Sequence, residues 1–184
     1  TTMAEILTKI TPDLPAEYAS RINQVRYMAV VCLVLEMDRP FSHIYWMNNG
    51  DTSLPFGGLI EQTNFIPPSE YKGRHLMYVS RYLDADDPIY KMNTDQALEF
   101  FLPHLKKINT NFSRDRISKA HLFRYPYAQP VIGTHYSRIL PEFNTPIRGL
   151  YVANLSQIYP EDRGTNYAVR LGNQVAEKIA KDWE

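Results

Sequence analysis

The sequence is poor in several features that define common classes of protein. Cys32 is the single cysteine among 184 residues, and the chain has neither a run of 18 apolar residues nor a charged-then-apolar leader. We therefore expect no transmembrane helix, no secretory signal and a reducing, cytoplasmic setting. The 20 basic residues balance the 20 acidic ones, so the sequence predicts no nucleic-acid partner.

Motifs for several kinds of chemistry are also missing. The sequence has no G-x-S-x-G nucleophile motif and no G-x-x-x-x-G-K-[ST] phosphate loop, which argues against hydrolases and P-loop NTPases. Its five histidines show no i, i+4 pairing and no neighbouring cysteine, so we expect no metal site. None of its eight glycines belongs to a G-x-G-x-x-G motif, and a dinucleotide-binding turn is therefore not recognisable.

Hydrophobic periodicity predicts an α+β fold, with a mixed, mostly antiparallel sheet, flanking helices and a C-terminal amphipathic helix. The apolar, valine-rich residues 26–37 predict a strand that is covered on both faces at the centre of the sheet. Thr94 is the expected N-cap of a helix that Pro103 should kink or split. The other predicted helices are 3–10 and 16–23, and the other predicted strands are 43–47, 57–63, 75–83, 117–125 and 150–153.

The last helix, which should run to Trp183, has the clearest pattern in the chain. Its apolar and small residues recur at helical spacing, and we expect this side to pack closely against a sheet. Charged and amide side chains take the other side. The predicted inner face consists of Ala168, Leu171, Gly172, Val175, Ala176, Ile179, Ala180 and Trp183.

Three segments combine chemistry with local structure, and each has an ordinary structural alternative. The strand, loop and helix from Gly149 onward would aim backbone N–H groups at an anion or an electron-rich ring, or would simply be a capped helix. Residues 123–130 are dense in aromatic side chains, which could equally be core or surface residues. Residues 45–49 and 61–65 place polar and aromatic groups at strand ends, where they could form a pocket wall or a packed hairpin.

Three sequence stretches together resemble the C-terminal part of the FAD-dependent amine oxidase superfamily, including protoporphyrinogen oxidase-like members. They are AQPVIGTH at 128–135, TPIRGLYVAN at 145–154 and GTNYAVRLGNQVAEKI at 164–179. The resemblance implies that residues 1–145 are similar to the family's substrate domain and that 146–184 supply the last strand, loop and helix of its FAD-binding domain. Because the dinucleotide motif is missing, the chain resembles the C-terminal portion of a longer flavoprotein.

The resemblance also implies roles for individual residues. The expected FAD-binding residues are Asn154, Gly164, Thr165, Asn166 and Tyr167. Asn154 departs from the family pattern, which has glycine at that position. A small-molecule substrate would contact candidate residues in the substrate domain, and the partner of the chain would be the missing N-terminal FAD-binding region. No catalytic base is nominated, and the chain alone should bind FAD weakly or not at all. The substrate-binding candidates are Tyr45, Trp46, Arg124, Tyr127 and Gln129.

Two other interpretations stay open at this point. One is an enzyme fragment similar to UDP-galactopyranose mutase, in which Arg124, Arg138 and Arg170 would grip the diphosphate of a nucleotide sugar. The other is a non-catalytic α+β interaction domain that kept the fold and lost the cofactor.

Overall fold

The computed structural model describes residues 2–183, and the chain divides into two compact units. One unit spans Met28–Gln129, and the other combines the residues up to Tyr27 with those from Pro130 onward. These units do not coincide with the segments 1–145 and 146–184, which divide the chain by expected function, and that functional division stays a prediction. The helices are α1 (Met3–Ile10), α2 (Ala16–Ile22), α3 (Pro88–Lys91), α4 (Thr94–Ile108) and α5 (Thr165–Asp182), and the strands are β1 (Tyr27–Met37), β2 (Trp46–Asn48), β3 (Gly58–Glu61), β4 (His75–Leu83) and β5 (Ile117–Pro130).

The central feature of the 28–129 unit is a five-stranded sheet with the order β2-β3-β4-β1-β5. The β1–β4, β2–β3 and β3–β4 pairs are antiparallel, and Val79 of β4 lies opposite both Leu33 and Leu59. The α+β class and the largely antiparallel sheet are therefore confirmed. The central strand is β4, not β1 as the sequence suggested.

Strand β1 is covered on one face only, so the prediction of two covered faces is wrong. Val31, Leu33 and Leu35 have no exposed surface, and they belong to a core that includes Leu98 and Phe101 of α4. The residues between them, such as Cys32 and Val34, are only half-buried. The continuous apolar run thus hides an alternating strand whose second face has no helical layer in this unit.

Helix α4 begins one residue earlier than its predicted cap. Asn93 is the N-cap: its side chain accepts from the Gln96 amide, and the Gln96 side chain accepts from the Asn93 amide, each at 2.9 Å. Thr94 is therefore the first helical residue and not the cap. The helix also continues through Pro103 without a break, because Pro103 lies on its exposed side while Phe101 and Leu105 anchor the other side in the core.

The second unit has a small core of its own. Met3, Ala4 and Leu7 of α1 pack with Ile22 of α2, and Leu150 and Val152 lie against this cluster. Tyr136 is 1% exposed, and its hydroxyl donates to the Ser156 carbonyl at 2.9 Å.

The predicted strand at 150–153 is only an isolated bridge between Asn144 and Tyr151. The Val152 amide donates to the Phe143 carbonyl at 2.8 Å, and the Thr145 amide donates to the Leu150 carbonyl at 3.1 Å. No further strand pairs with this segment in the described part of its unit. The local β pattern is present, but a strand needs a partner along more than one bridge.

Helix α5 is confirmed, whereas most of its predicted inner face is not. Leu171 is its single buried residue among those described, and Val175 is half-buried. Gly172 is exposed, and a Cβ atom added to it would meet no atom within 4 Å. The remaining residues of the predicted inner face are also exposed, namely Ala168, Ala176, Ile179, Ala180 and Trp183.

Candidate functional site

The N-terminus of α5 is the first candidate site. Gly164 is its N-cap in an extended conformation, and no side chain caps the helix. The first amide groups of a helix have no intrahelical acceptor and carry about half a positive charge. A Cβ atom on Gly164 would lie 2.7 Å from the side-chain oxygen of Asn166, so glycine leaves room for the Asn166 side chain beside the helix entrance.

A polar cavity of about 330 Å³ lies beside this helix start. Arg170 closes one side of it: its guanidinium pairs with Glu161 at 2.7 Å and lies 4.6 Å from the centre of the Tyr167 ring. The hydrogen bond from Arg170 lowers the pKa of the Glu161 carboxyl. Tyr167 and Arg170 are thus ordered relative to each other at the first turns of α5.

Asn154, the other predicted cofactor residue, caps a short 3₁₀ turn at Leu155–Gln157. Its side-chain oxygen accepts from the amide and the hydroxyl of Ser156, each at 3.1 Å, and its own amide donates to the Gln157 side chain at 2.7 Å. The asparagine that replaces the family's glycine therefore has a local structural role, which its sequence position did not reveal. Its contact with a flavin stays a prediction.

The predicted substrate residues lie in the 28–129 unit, in different parts of the sheet. Trp46 of the edge strand β2 is 56% exposed, and Tyr45 stacks beside Phe65 with ring centres 5.0 Å apart. Tyr127 lies on β5, the opposite edge strand, where its ring is 6.1 Å from that of Tyr125. Gln129 follows Tyr127 at i+2, on the same face of β5. The structure therefore separates these candidates into two groups with three strands between them.

Arg124 lies on the other face of β5 from Tyr125 and Tyr127, because neighbouring residues of a strand alternate. Its guanidinium donates to the carbonyls of Tyr90 and Met92 at 2.6 and 2.7 Å, and so holds the end of α3. The structure does not bring Arg124 together with the other substrate candidates. A strand pattern could have separated them, but residues 117–125 alternate too loosely for the face to be assigned from sequence.

A groove on the uncovered face of the sheet was missed by the sequence reasoning. It has a volume of about 580 Å³ and lies across β1, β4 and β5. Its lining includes Cys32, Val34, Tyr78 and Phe123. The signal that could have revealed it is the i, i+2 series in β1, which the apolar run concealed. We call the surface formed by these alternate residues of β1, β4 and β5 the open face.

Glu61 is buried and hydrogen-bonded to a loop, although residues 61–65 were a candidate pocket wall. Its carboxylate is 2% exposed and accepts from the amides of Phe41 and Ser42 at 2.6 and 2.7 Å. The Ser42 hydroxyl also donates to it at 3.1 Å. This residue anchors the loop between β1 and β2.

Comparison with known proteins identifies the family. The model of flavin-containing amine oxidoreductases matches residues 1–180. The chain belongs to this family. The resemblance predicted from the three C-terminal motifs is therefore confirmed, and with it the membership of a family whose enzymes contain flavin. A search of curated proteins found no match.

Solved structures share the fold of this amine oxidoreductase chain at low sequence identity. A protein from Exiguobacterium sp. 255-15, named as a protoporphyrinogen oxidase, superposes with a TM-score of 0.71 at 12% identity over 98% of this chain and 40% of its own. An oxidoreductase from Methanosarcina mazei gives 0.68 at 18% identity, over 96% of this chain and 41% of its own. The chain therefore spans about two fifths of the length of these structures.

A reduced UDP-galactopyranose mutase is a weaker match, with a TM-score of 0.50 at 11% identity over 67% of this chain and 26% of its own. The three arginines of the mutase interpretation lie in three different elements of the fold. Arg124 is held by two carbonyls and Arg170 by Glu161. Arg138 lies in a separate 3₁₀ turn, Tyr136–Arg138.

The described residues include neither a group of side chains suited to a metal ion nor a helix suited to spanning a membrane. Within 2–183, no three histidine, cysteine or acidic side chains are grouped so that they could hold a metal ion. In the same range, no helix has both the length and the apolar character that crossing a membrane requires.

Proposed function

We propose that this chain is the substrate-binding and flavin-capping portion of an FAD-dependent oxidoreductase. The observation that carries the proposal is the exposed apolar side of α5, in a chain that belongs to a flavin-containing family. The proposal also rests on the three C-terminal motifs, which resemble the segment that closes the flavin site in that family.

The exposed side of α5 supports a further layer of protein beside this helix. Ala168, Gly172, Ala176 and Ala180 recur every four residues and are all exposed; we call them the α5 stripe. Large apolar side chains continue the same surface, since Val169 is 60% and Trp183 is 66% exposed. An amphipathic helix normally buries such a surface, and small residues permit close contact with a sheet.

The segment at 150–153 supports the same conclusion. It is extended and bridged on one side at Tyr151, so it still has hydrogen-bonding groups with which a neighbouring strand could pair. In our proposal, the dinucleotide-binding portion of the flavoenzyme supplies both that strand and the sheet under the α5 stripe.

The start of α5 suits the electron-rich end of a flavin. Gly164, Thr165 and Asn166 present backbone amides at a helix N-terminus that no side chain caps. Reduction of a bound flavin by two electrons places negative charge on its pyrimidine ring, and the helix N-terminus stabilises that charge. Tyr167, whose ring is fixed by Arg170, would flank the same position.

The 28–129 unit would hold the substrate, with the open face of its sheet as the binding surface. Tyr127 and Gln129 on β5 would position the substrate there and exclude water from it, whereas Trp46 on β2 lies at the other edge of the sheet, outside this group. No titratable catalytic residue is required, because orientation of the reacting C–H or C–N bond against the flavin contributes most of the catalysis in such enzymes.

The direct test is to purify the full-length gene product and record its visible absorbance. We expect flavin bands, FAD rather than FMN among the released cofactors, and a G-x-G-x-x-G motif in any upstream coding sequence. Absence of flavin bands, even after FAD is added, would falsify the proposal and favour the non-catalytic interaction domain.

A charge variant tests the role of the α5 N-terminus in the full-length protein. Asn166→Asp places a carboxylate where the reduced flavin is expected to carry negative charge. We expect the two-electron midpoint potential to fall by about 20–40 mV, which corresponds to ~1–2 kcal/mol. Asn173→Asp, in the middle of the same helix, is the matched control and should leave the potential unchanged. Equal potentials for the two variants would place the flavin elsewhere.

A further inference from the structure

The groove on the open face has an apolar body. Cys32 and Val34 of β1 form its floor, with Leu76 and Tyr78 of β4 on one side and Phe123 of β5 on the other. Phe123 is 60% exposed. A volume of about 580 Å³ is in the range of cavities that hold small organic molecules.

One end of this groove is charged. Glu36 at the end of β1 pairs with His121 of β5, with 2.8 Å between the carboxylate oxygen and Nε2. Lys119, two residues before His121, lies on the same face of β5, and Arg74 immediately precedes β4. The hydrogen bond from His121 lowers the pKa of the Glu36 carboxyl, and the positive charges of Lys119 and Arg74 also contribute.

The balance of charge at this end is positive. Arg74 and Lys119 are both exposed basic residues. The acidic residues at this end of β1 are Glu36 and Asp38, and Asp38 already pairs with the basic Arg39 at 3.4 Å. Because Glu36 is already hydrogen-bonded by His121, the cationic groups are the ones left to meet a ligand.

We propose that this groove binds an amphipathic organic anion, with its apolar body over Cys32, Val34 and Phe123 and its carboxylate beside Arg74 and Lys119. The inference rests on the proposed function only in regarding this ligand as the substrate. The groove and its charge lie within the 28–129 unit and need no flavin.

The test compares three ten-carbon probes that share one tail, by isothermal titration calorimetry with the 184-residue chain. The probes are decanoate, decanol and decylammonium. We expect decanoate to bind tightest, and its advantage over decanol to shrink as salt concentration rises, because the head-group contacts are exposed. Tighter binding of decylammonium, or equal binding of all three, would overturn the assignment of charge.

Charge variants locate the head group. Arg74→Gln and Lys119→Gln should each weaken decanoate binding about two- to fivefold and leave decanol binding unchanged. Lys106→Gln, on the exposed side of α4, is the matched control and should have no effect. If all three variants bind decanoate equally, the carboxylate does not lie at this end of the groove.

The reactivity of Cys32 shows where the apolar part of the ligand binds, and this test needs no substitution. Cys32 is the single cysteine of the sequence and lies half-buried in the groove. Saturating decanoate should slow alkylation of Cys32 by N-ethylmaleimide, and an unchanged rate would show that the tail binds elsewhere. If these experiments fail, the flavin proposal still stands. If the full-length protein contains no flavin, the proposal that the groove binds an organic anion still stands.

Discussion

At the scale of single residues, identity alone did not decide which polar side chains are available for chemistry. Glu61 and Arg124 were both candidates for a pocket, yet each makes short hydrogen bonds to backbone groups of a neighbouring segment. Both lie in strands, and in a strand the face on which a side chain lies determines its partners. Tyr127, three residues after Arg124, lies on the other face.

Glu61 provides a test at this scale. Glu61→Gln keeps the shape of the side chain but replaces an acceptor oxygen with a donor that faces the Phe41 or Ser42 amide. We expect the free energy of unfolding to fall by about 1–3 kcal/mol, measured by urea denaturation. Glu70→Gln, at an exposed position, should stay within ~0.5 kcal/mol of the parent chain. Similar values for both variants would mean that the buried carboxylate does not anchor the loop.

At the scale of elements, local pattern located most helices and strands, and long-range partners determined their ends and faces. The predicted bounds of α1 and β4 agree with the structure, because their periodic patterns end in turn residues. The cap of α4 differed by one residue, since both Asn93 and Thr94 are good capping residues and only the backbone geometry separates them.

The cap of α4 can be tested directly. Asn93→Ala removes the side-chain acceptor of the Gln96 amide and should lower the free energy of unfolding by about 1 kcal/mol. Thr94→Ala, inside the first turn, should change it by less than ~0.5 kcal/mol. Urea denaturation of the two variants distinguishes them, and a larger loss for Thr94→Ala would restore the cap predicted from sequence.

The last turn of α5 gives a prediction about pH. The Asp182 carboxylate accepts from Lys178, from the Asn144 side chain at 2.9 Å and from the Tyr151 hydroxyl at 2.9 Å. The hydrogen bond from Lys178, followed by those from Asn144 and Tyr151, lowers the pKa of Asp182 to about 2. Since this pKa is below the usual value of 3.8, the carboxylate stabilises the fold above pH ~4, and this contribution is lost as pH falls toward 2.

The measurement is the thermal unfolding midpoint of the parent chain and of Asp182→Asn between pH 6 and pH 2. We expect the parent chain to melt at the higher temperature at pH 6, and the two midpoints to converge as pH falls toward 2. Glu177→Gln, an exposed position on the same helix, is the control and should show no such convergence. A constant difference across this range would contradict the assignment of the ionised carboxylate to the hydrogen bonds.

At the scale of the whole molecule, the question is what covers α5. A helix with this pattern is usually buried along its apolar side, yet Leu171 is its one buried residue among those described. The chain spans about 40% of the solved structures with which it shares a fold. Both observations are accounted for if the α5 stripe is an interface with the dinucleotide-binding portion of the proposed flavoenzyme.

A charge on the α5 stripe tests this interface. Ala176→Glu should leave the unfolding free energy of the 184-residue chain within ~0.5 kcal/mol, because the position is exposed. In the full-length protein, the same change would bury a carboxylate and should lower both stability and flavin content. Gln174→Glu, at an exposed position on the opposite side of the helix from Ala176, should affect neither. Equal flavin content in both full-length variants would exclude the stripe as the interface.

The sequence by itself determined the family, the α+β class and the positions of most elements, because these depend on local periodicity and on motifs of adjacent residues. The tertiary structure decided which side of each element is covered. The open face of β1, the exposed stripe of α5 and the contact of Arg124 with the end of α3 all depend on distant segments. A hydrophobic pattern records that a side chain is apolar, but burial requires a partner, and the position of that partner is a property of the folded molecule.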